Sequence, residues 1–117
     1  MPDIRWGIFW ADLNPVRGAE QAGIRPAIVV SRESIHRALP LVGVCPITSR
    51  KPGRKIYPTE VVIPAGHAGL TMESVVLGHQ VRTISRERIG ARLGSLEDDD
   101  VKLAILQALA VFFSLDT

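Results

Sequence analysis

Three histidines and one cysteine carry the strongest ligand chemistry in this chain, and their spacing argues against its use. Cys45, His36, His67 and His79 stand apart, and none forms a Cys-x-x-Cys or His-x-x-x-His pair that would put two donors on one metal. No metal site is expected. There is no Gly-x-x-x-x-Gly-Lys phosphate loop and no Gly-x-Ser-x-Gly elbow, so the common nucleotide-hydrolase and serine-hydrolase signatures are missing. Any catalysis must use dispersed side chains that the fold brings together. The lone Cys45 cannot close an intramolecular disulfide, which suits a reducing compartment, and within the apolar run Val42 to Ile47 it reads as a small core residue.

Charge is the next signal. The net charge is only +2, yet residues 1–94 hold 13 bases against 7 acids, while residues 95–117 hold 1 base against 5 acids. Eleven of the 14 bases are arginine, whose planar fork suits bidentate contact with phosphate. The run Arg50-Lys-Pro-Gly-Arg-Lys55 sets four cations in six residues around a Pro-Gly turn and reads as a solvated hairpin tip. A polyanionic partner fits this distribution. The N-terminus lacks the basic start and unbroken apolar stretch of a secretory signal. The most apolar segment, Leu103 to Phe113, is interrupted by Gln107 and falls short of the ~20 residues that cross a bilayer. A cytoplasmic protein without a membrane span is expected.

These side chains need a frame. Trp6 to Ala11, Ala27 to Val30 and Leu41 to Ile47 are rich in β-favouring residues and bounded by Pro, Gly, Asn or Ser, so each predicts a strand. Between the first two, residues 14–25 form a polar stretch with two glycines and predict a long exposed loop. Ser31 to Leu39, with a cap-like Ser31 and apolar Ile35 and Leu39 four apart, predicts about two helical turns that Pro40 ends. Further strands are expected at Glu60 to Ile63, Ser74 to Leu77, Gln80 to Ile84 and Arg88 to Leu93. The fold class is therefore mainly β with a C-terminal helix (α+β), a small bent sheet or partly closed barrel, in one domain over residues 1–117. That helix opens at Ser95-Leu-Glu-Asp98 as a capping-box-like start and runs to about Phe113. Its interior is apolar nearly all round, so part of it is expected to meet a second chain. Trp6, Trp10 and Tyr57 read as core rather than as stacking surfaces.

The segment Asp12-Leu-Asn-Pro-Val-Arg-Gly-Ala-Glu20-Gln-Ala-Gly-Ile-Arg25-Pro-Ala-Ile-Val-Val-Ser31 resembles the signature of the MazF/PemK toxin family. There, a strand ending in Asp-Leu-(Asn/Asp)-Pro leads to an Arg-Gly-x-Glu-Gln loop and then to Arg-Pro-Ala-x-Val-Val-Ser. Pro46-Ile-Thr-Ser49, Gln80-Val-Arg-Thr-Ile84 and Leu93-Gly-Ser-Leu96 are similar to later blocks of the same family, so the resemblance covers about residues 6–113. It implies an SH3-like or CcdB-like barrel, a homodimer, and the toxin of a type II toxin–antitoxin system. It also implies a metal-independent, sequence-specific endoribonuclease, an mRNA interferase, that acts on single-stranded RNA, needs no cofactor and is silenced by a MazE-like antitoxin. Carried over by motif, the working residues fall on Arg25, Thr48 and Glu20, with Ser49, Gln80 and Arg82 beside them. PemK-like members carry an Arg-x-Asp pair where this chain has Leu77 and His79. That acid–base set is therefore absent, which favours the Arg25 and Thr48 arrangement and makes His79 a candidate for contact with RNA.

RNA supplies its own nucleophile. Attack of a 2′-hydroxyl on the adjacent phosphorus needs a base, an acid and stabilisation of charge, and leaves 2′,3′-cyclic phosphate and 5′-hydroxyl ends. Arg25, always protonated, suits charge stabilisation, and Thr48 can donate a hydroxyl hydrogen bond. Glu20 has two roles open to it, accepting the 2′-hydroxyl proton or orienting Arg25. Arg50, Lys51, Arg54 and Lys55, just after Thr48, are placed to guide the RNA backbone. The alternative is a non-catalytic CcdB-like gyrase-binding toxin on the same architecture, which has no need of the Arg25 and Thr48 pairing.

Overall fold

A computed structural model describes residues 3–14, 17–20 and 23–117. The strands are β1 (Gly7–Asp12), β2 (Ile24–Val29), β3 (Leu41–Ser49), β4 (Glu60–Ile63), β5 (Ser74–Leu77), β6 (Arg82–Ser85) and β7 (Ile89–Ser95), with helices α1 (Glu33–Ala38) and α2 (Asp99–Phe112). Every pairing is antiparallel, in the order β4-β5-β3-β2-β1-β7, and β6 joins the first half of β3 off that path. Among the described residues β4 and β7 do not pair, so the sheet bends without closing. The mainly β fold with a C-terminal helix is as expected. Several boundaries differ: β2 starts already at Ile24, inside the expected loop, so Arg25 lies on a strand; Gln80 belongs to a single 3-10 turn, Gly78–Gln80, and β6 starts only at Arg82; and Arg88 ends a second 3-10 turn before β7, which runs from Ile89 to Ser95.

Strand alternation explains why β1, β2 and β3 read as apolar runs. Ile8, Ile28, Cys45 and Ile47 point to one side, where Ile105 of α2 closes the core. Phe9, Ala11, Ala27, Val29, Val42 and Val44 point to the other, against Ile84 of β6. Register shifts between β1 and β7 on both sides of Phe9 add bend, because an extra residue on one strand raises its local twist. Gly69 and Gly94 let the loop before Leu70 cross β7 backbone to backbone; a Cβ on either would overlap the carbonyl facing it.

Both helix starts correct the sequence reading. Ser31 does not cap α1: Arg32 holds that place with no side-chain bond. The Ser31 hydroxyl instead accepts the Gly43 N–H at 2.9 Å and meets His36 Nε2 at 2.5 Å, because a buried imidazole is a better partner than a solvated helix end. Ser95 is likewise held in β7 by its pairing with Gly7, and the cap of α2 is Asp98, whose carboxylate accepts from Asp100 N at 2.9 Å and Val101 N at 3.2 Å. Of α2, only Ile105 and Ala108 are fully buried, so Leu103, Leu106, Phe112 and Phe113 remain exposed.

His36 links α1 to the start of the chain. Its Nδ1 lies 2.9 Å from Glu33 Oε1, and the same carboxylate accepts Arg5 N at 2.9 Å and Ile4 N at 3.1 Å. Burial alone would raise the Glu33 carboxyl, but the bonds from His36, Arg5 and Ile4 and the nearby His36 charge override it and hold the group at about 2. A carboxyl depressed in the fold stabilises it fully above the ordinary value near 4.5, and that contribution is lost as pH falls toward about 2. Thermal melts should therefore show the Tm of the wild type falling more steeply than that of Glu33→Gln between about pH 5 and about pH 3. Parallel pH profiles would show that the carboxylate carries no such linkage.

Candidate active site

β2 and β3 pair only at Ala27–Pro46, Ile28–Cys45 and Val29–Val44. Carried two positions further, that register sets Arg25 against Thr48, beyond the last paired residues of the two strands, while the other edge of β3 pairs with β5 through Ile47 to Ser49. The parting of the strands opens a groove of about 650 Å³, and Arg25, Thr48, Ser49, Arg50 and Lys51 all line it. Five residues singled out in the sequence thus share one cleft. Three, Arg25, Thr48 and Ser49, lie on strands, which fixes them more firmly than loop positions would.

Trp10 lines the same groove, and the sequence reading missed it. It is 41% exposed rather than core, as is Tyr57 at 52%, while Trp6 packs against the core as expected. Trp10 shares a side of β1 with buried Ile8, so period-two reasoning assigns it inward. The core, however, covers only the Ile8 end of that side.

The remaining candidates lie elsewhere. Glu20 lines a separate depression with Arg82 and Arg88, and its carboxylate accepts the Arg17 N–H at 2.9 Å. It is absent from the lining of the Arg25 and Thr48 groove. Gln80 ties this side together: its Nε2 donates to the Ala19 carbonyl at 3.3 Å and its Oε1 accepts from Arg82 at 3.3 Å. His79 is turned toward β4, with Nδ1 2.8 Å from the Thr59 hydroxyl, and lines neither cavity. Among the described residues no three His, Cys, Asp or Glu side chains converge where a metal ion would sit.

Residues 50–55 are not a hairpin tip, since β3 and β4 each pair with β5 and not with one another. Arg54 closes this strap by a bidentate bond to Glu60, Nη1 to Oε1 at 3.0 Å and Nη2 to Oε2 at 2.8 Å. The Glu60 side chain is 1% exposed and also accepts the Tyr57 N–H at 3.0 Å. The Arg54 bond chiefly holds the Glu60 carboxyl below the usual range; burial opposes this, while Tyr57 and the charges of Arg54 and His79 add to it. The fold uses the Arg54 guanidinium, while Lys51 is exposed and Lys55 rests its ammonium 5.4 Å above the Tyr57 ring.

The family model described as PemK-like, MazF-like toxin of type II toxin-antitoxin system matches residues 4–113. The endoribonuclease EndoA of Bacillus subtilis is 35% identical over 111 residues, which is 95% of this chain and 94% of that protein. Among solved structures, MazF from Deinococcus radiodurans superposes with a TM-score of 0.78 at 32% identity, covering 97% of this chain and 96% of the other. A MazE-MazF structure from the same organism gives a TM-score of 0.71 at 28% identity, with 96% and 94% covered.

Because Arg54 neutralises a buried carboxylate, Arg54→Ala should destabilise the chain by about 2 kcal/mol or more, below the ~3–5 kcal/mol of a fully buried pair since Arg54 is partly exposed. Lys55→Ala should cost under about 0.5 kcal/mol. Urea unfolding of the two variants checks this; equal midpoints would deny Arg54 its structural part.

Proposed function

This chain belongs to the PemK-like, MazF-like toxins of type II toxin–antitoxin systems, and from that membership we propose that it is an endoribonuclease cutting single-stranded RNA at sequence-defined sites. The observation that carries the reading is the placement of Arg25 and Thr48 in one groove at the parting of β2 and β3. The relative named as an endoribonuclease supports it, and a gyrase-binding toxin of the CcdB kind would have no use for that pairing. The whole of residues 1–117 forms the toxin domain.

In the proposed mechanism the 2′-oxygen forms a bond to the adjacent phosphorus and the bond from phosphorus to the 5′-oxygen breaks. Arg25 and Thr48 hold the charge that grows on the non-bridging oxygens. The 2′-proton passes to solvent and the leaving 5′-oxygen takes one from it; Glu20 lines the separate depression with Arg82 and has no part in this transfer, because the 2′-oxygen and the phosphorus it attacks lie only ~3 Å apart in the reactive geometry. The nucleophile belongs to the substrate, so no metal-bound hydroxide is called for. Ser49, Arg50 and Lys51 contact the backbone beside the cut, with Lys55 further along; Gln80 and Arg82 serve the far side, His79 stays turned toward Thr59, and Arg54 reaches RNA only through what its bond to Glu60 leaves available.

Two partners follow. The exposed apolar side of α2 is covered by a second copy of the chain, which light scattering would read as twice the chain mass. The basic surface receives a MazE-like antitoxin, as the MazE-MazF neighbour suggests. No helix among the described residues is long and apolar enough to cross a membrane, and we place the protein with its substrate in the cytoplasm.

Incubation with unstructured RNA in excess EDTA should yield 2′,3′-cyclic phosphate ends, and a 2′-deoxy nucleotide at the cut should block cleavage. Loss of activity on chelation, or cutting of the deoxy substrate, would sink the mechanism. In single-turnover kinetics with saturating RNA, Arg25→Ala and Thr48→Val should each slow cutting on the order of a hundred- to a thousandfold with a much smaller loss of affinity. Lys55→Ala should instead weaken binding and flatten its salt dependence, because a phosphate contact away from the cut serves ground and transition states alike. Wild-type rates in folded Arg25→Ala and Thr48→Val would overturn the site assignment.

A further inference from the structure

Trp10 belongs to two cavities. Beyond the Arg25 and Thr48 groove it also lines a depression of about 520 Å³ with Asp12, Ile24, Ser85, Glu87 and Arg88. Strand alternation puts Trp10 and Asp12 on one side of β1, and the ladder sets Pro26 and Ile24 directly opposite them on β2. The result is a flat apolar surface, with the indole 41% and Ile24 68% exposed, bordered by carboxylates. Ser85 and Arg88 are shared in turn with the depression that holds Glu20 and Arg82. A strand crossing from one half of the candidate machinery to the other must therefore pass this place.

The chemistry of the lining decides what can rest there. A phosphate would meet two carboxylates and be repelled, whereas a nucleobase offers a flat face for the indole and edge N–H groups for an acceptor. The two acids are not equivalent. Asp12 Oδ1 already accepts the Asn14 N–H at 3.0 Å. Among the described residues the Glu87 carboxylate makes no bond and only its backbone N–H serves the fold, donating to Ser85 Oγ at 3.4 Å, so its carboxylate is the group available for reading a base. Arg88 donates to the Asp12 and Asn14 carbonyls, which fixes its positive charge at the rim beside a flanking phosphate. Among the four bases, guanine alone presents two adjacent donors, N1–H and N2–H, which match the two oxygens of a carboxylate. Uracil sets its single N–H between two carbonyls that a carboxylate repels.

We propose that the depression between Trp10 and Glu87 is a nucleobase subsite that takes guanine, the ring stacked on Trp10 and its N1–H and N2–H donated to the Glu87 carboxylate. The subsite rests on the ribonuclease reading for its place along the RNA and adds a base preference to it.

Equilibrium binding of labelled uridine tracts carrying a single guanosine, a single inosine or neither tests this on the full chain. The guanosine RNA should bind about tenfold more tightly than the plain tract. Inosine, which lacks the 2-amino group, should lose most of that gain. Glu87→Gln should erase the difference between guanosine and inosine, because an amide cannot accept from both donors. Trp10→Ala should weaken the guanosine RNA and Trp10→Phe should restore it. Glu87 is exposed on a short turn, so its variant keeps the test open even if Trp10→Ala fails to fold. Equal binding of the three RNAs, or a guanosine preference that survives Glu87→Gln, would overturn the subsite. Cutting of the same RNAs is scored separately. A protein that selects guanosine yet cuts nothing defeats the nuclease reading and keeps the subsite, while one that cuts without preferring guanosine does the reverse.

Discussion

Three residue pairs between β2 and β3 set the positions of nearly everything else. Ala27–Pro46, Ile28–Cys45 and Val29–Val44 form the middle of the sheet, and their side chains feed both apolar clusters at once. A slip of one residue would exchange the two sets of side chains and carry Arg25 away from Thr48, so packing enforces the site's register without any bond between the site residues. The groove is a consequence of strands that share a core and then part.

Two acidic side chains steady the frame around that opening by unlike means. Glu60 is buried at the start of β4 and held by one arginine fork, so the strap that carries Arg50 and Lys51 over the groove is anchored at its far end. Glu33 collects backbone N–H groups from Ile4 and Arg5 and the ring of His36, which locks the chain's start onto α1. In both cases a charge is taken from water only where several donors replace it, the condition under which burial is tolerated. Arg54 shows what this means for a basic loop: proximity to a groove does not leave every cation available to a ligand.

Strand alternation and turn residues made most of the frame legible in the sequence, and β4 and β5 lie at the boundaries that the pattern predicts. The motifs also carried Arg25, Thr48 and Ser49 into one cleft. What stayed hidden depended on distant partners. Ser31 has the composition of a cap, but a buried histidine five residues on claims its hydroxyl. Ser95 opens a plausible capping box, but pairing with Gly7 keeps it in a strand. Trp10 sits at a core position by period, and its exposure follows only from where the core stops along β1. Glu20 and His79 stand near Arg25 and Gln80 in sequence or motif order, yet topology sends them to other surfaces.

The division of the candidate residues over two depressions has a physical implication for a site whose nucleophile is supplied by the substrate. Arg25 and Thr48 can hold charge on a phosphate, but they do not by themselves bring the 2′-oxygen into line with the bond that must break. In a single strand that alignment is one of many conformers, and fixing it is worth several kcal/mol in well-oriented reactions, on the order of 7–11 at most. The ribose has to be held from its base. A stacking surface at Trp10, between the phosphate-holding groove and the Glu20 and Arg82 side, is positioned to do that. If base anchoring supplies the in-line geometry, sequence preference and turnover are one property: a mismatched base would stay bound through its phosphates and still react slowly, because the binding energy lost is the part that orients the transition state.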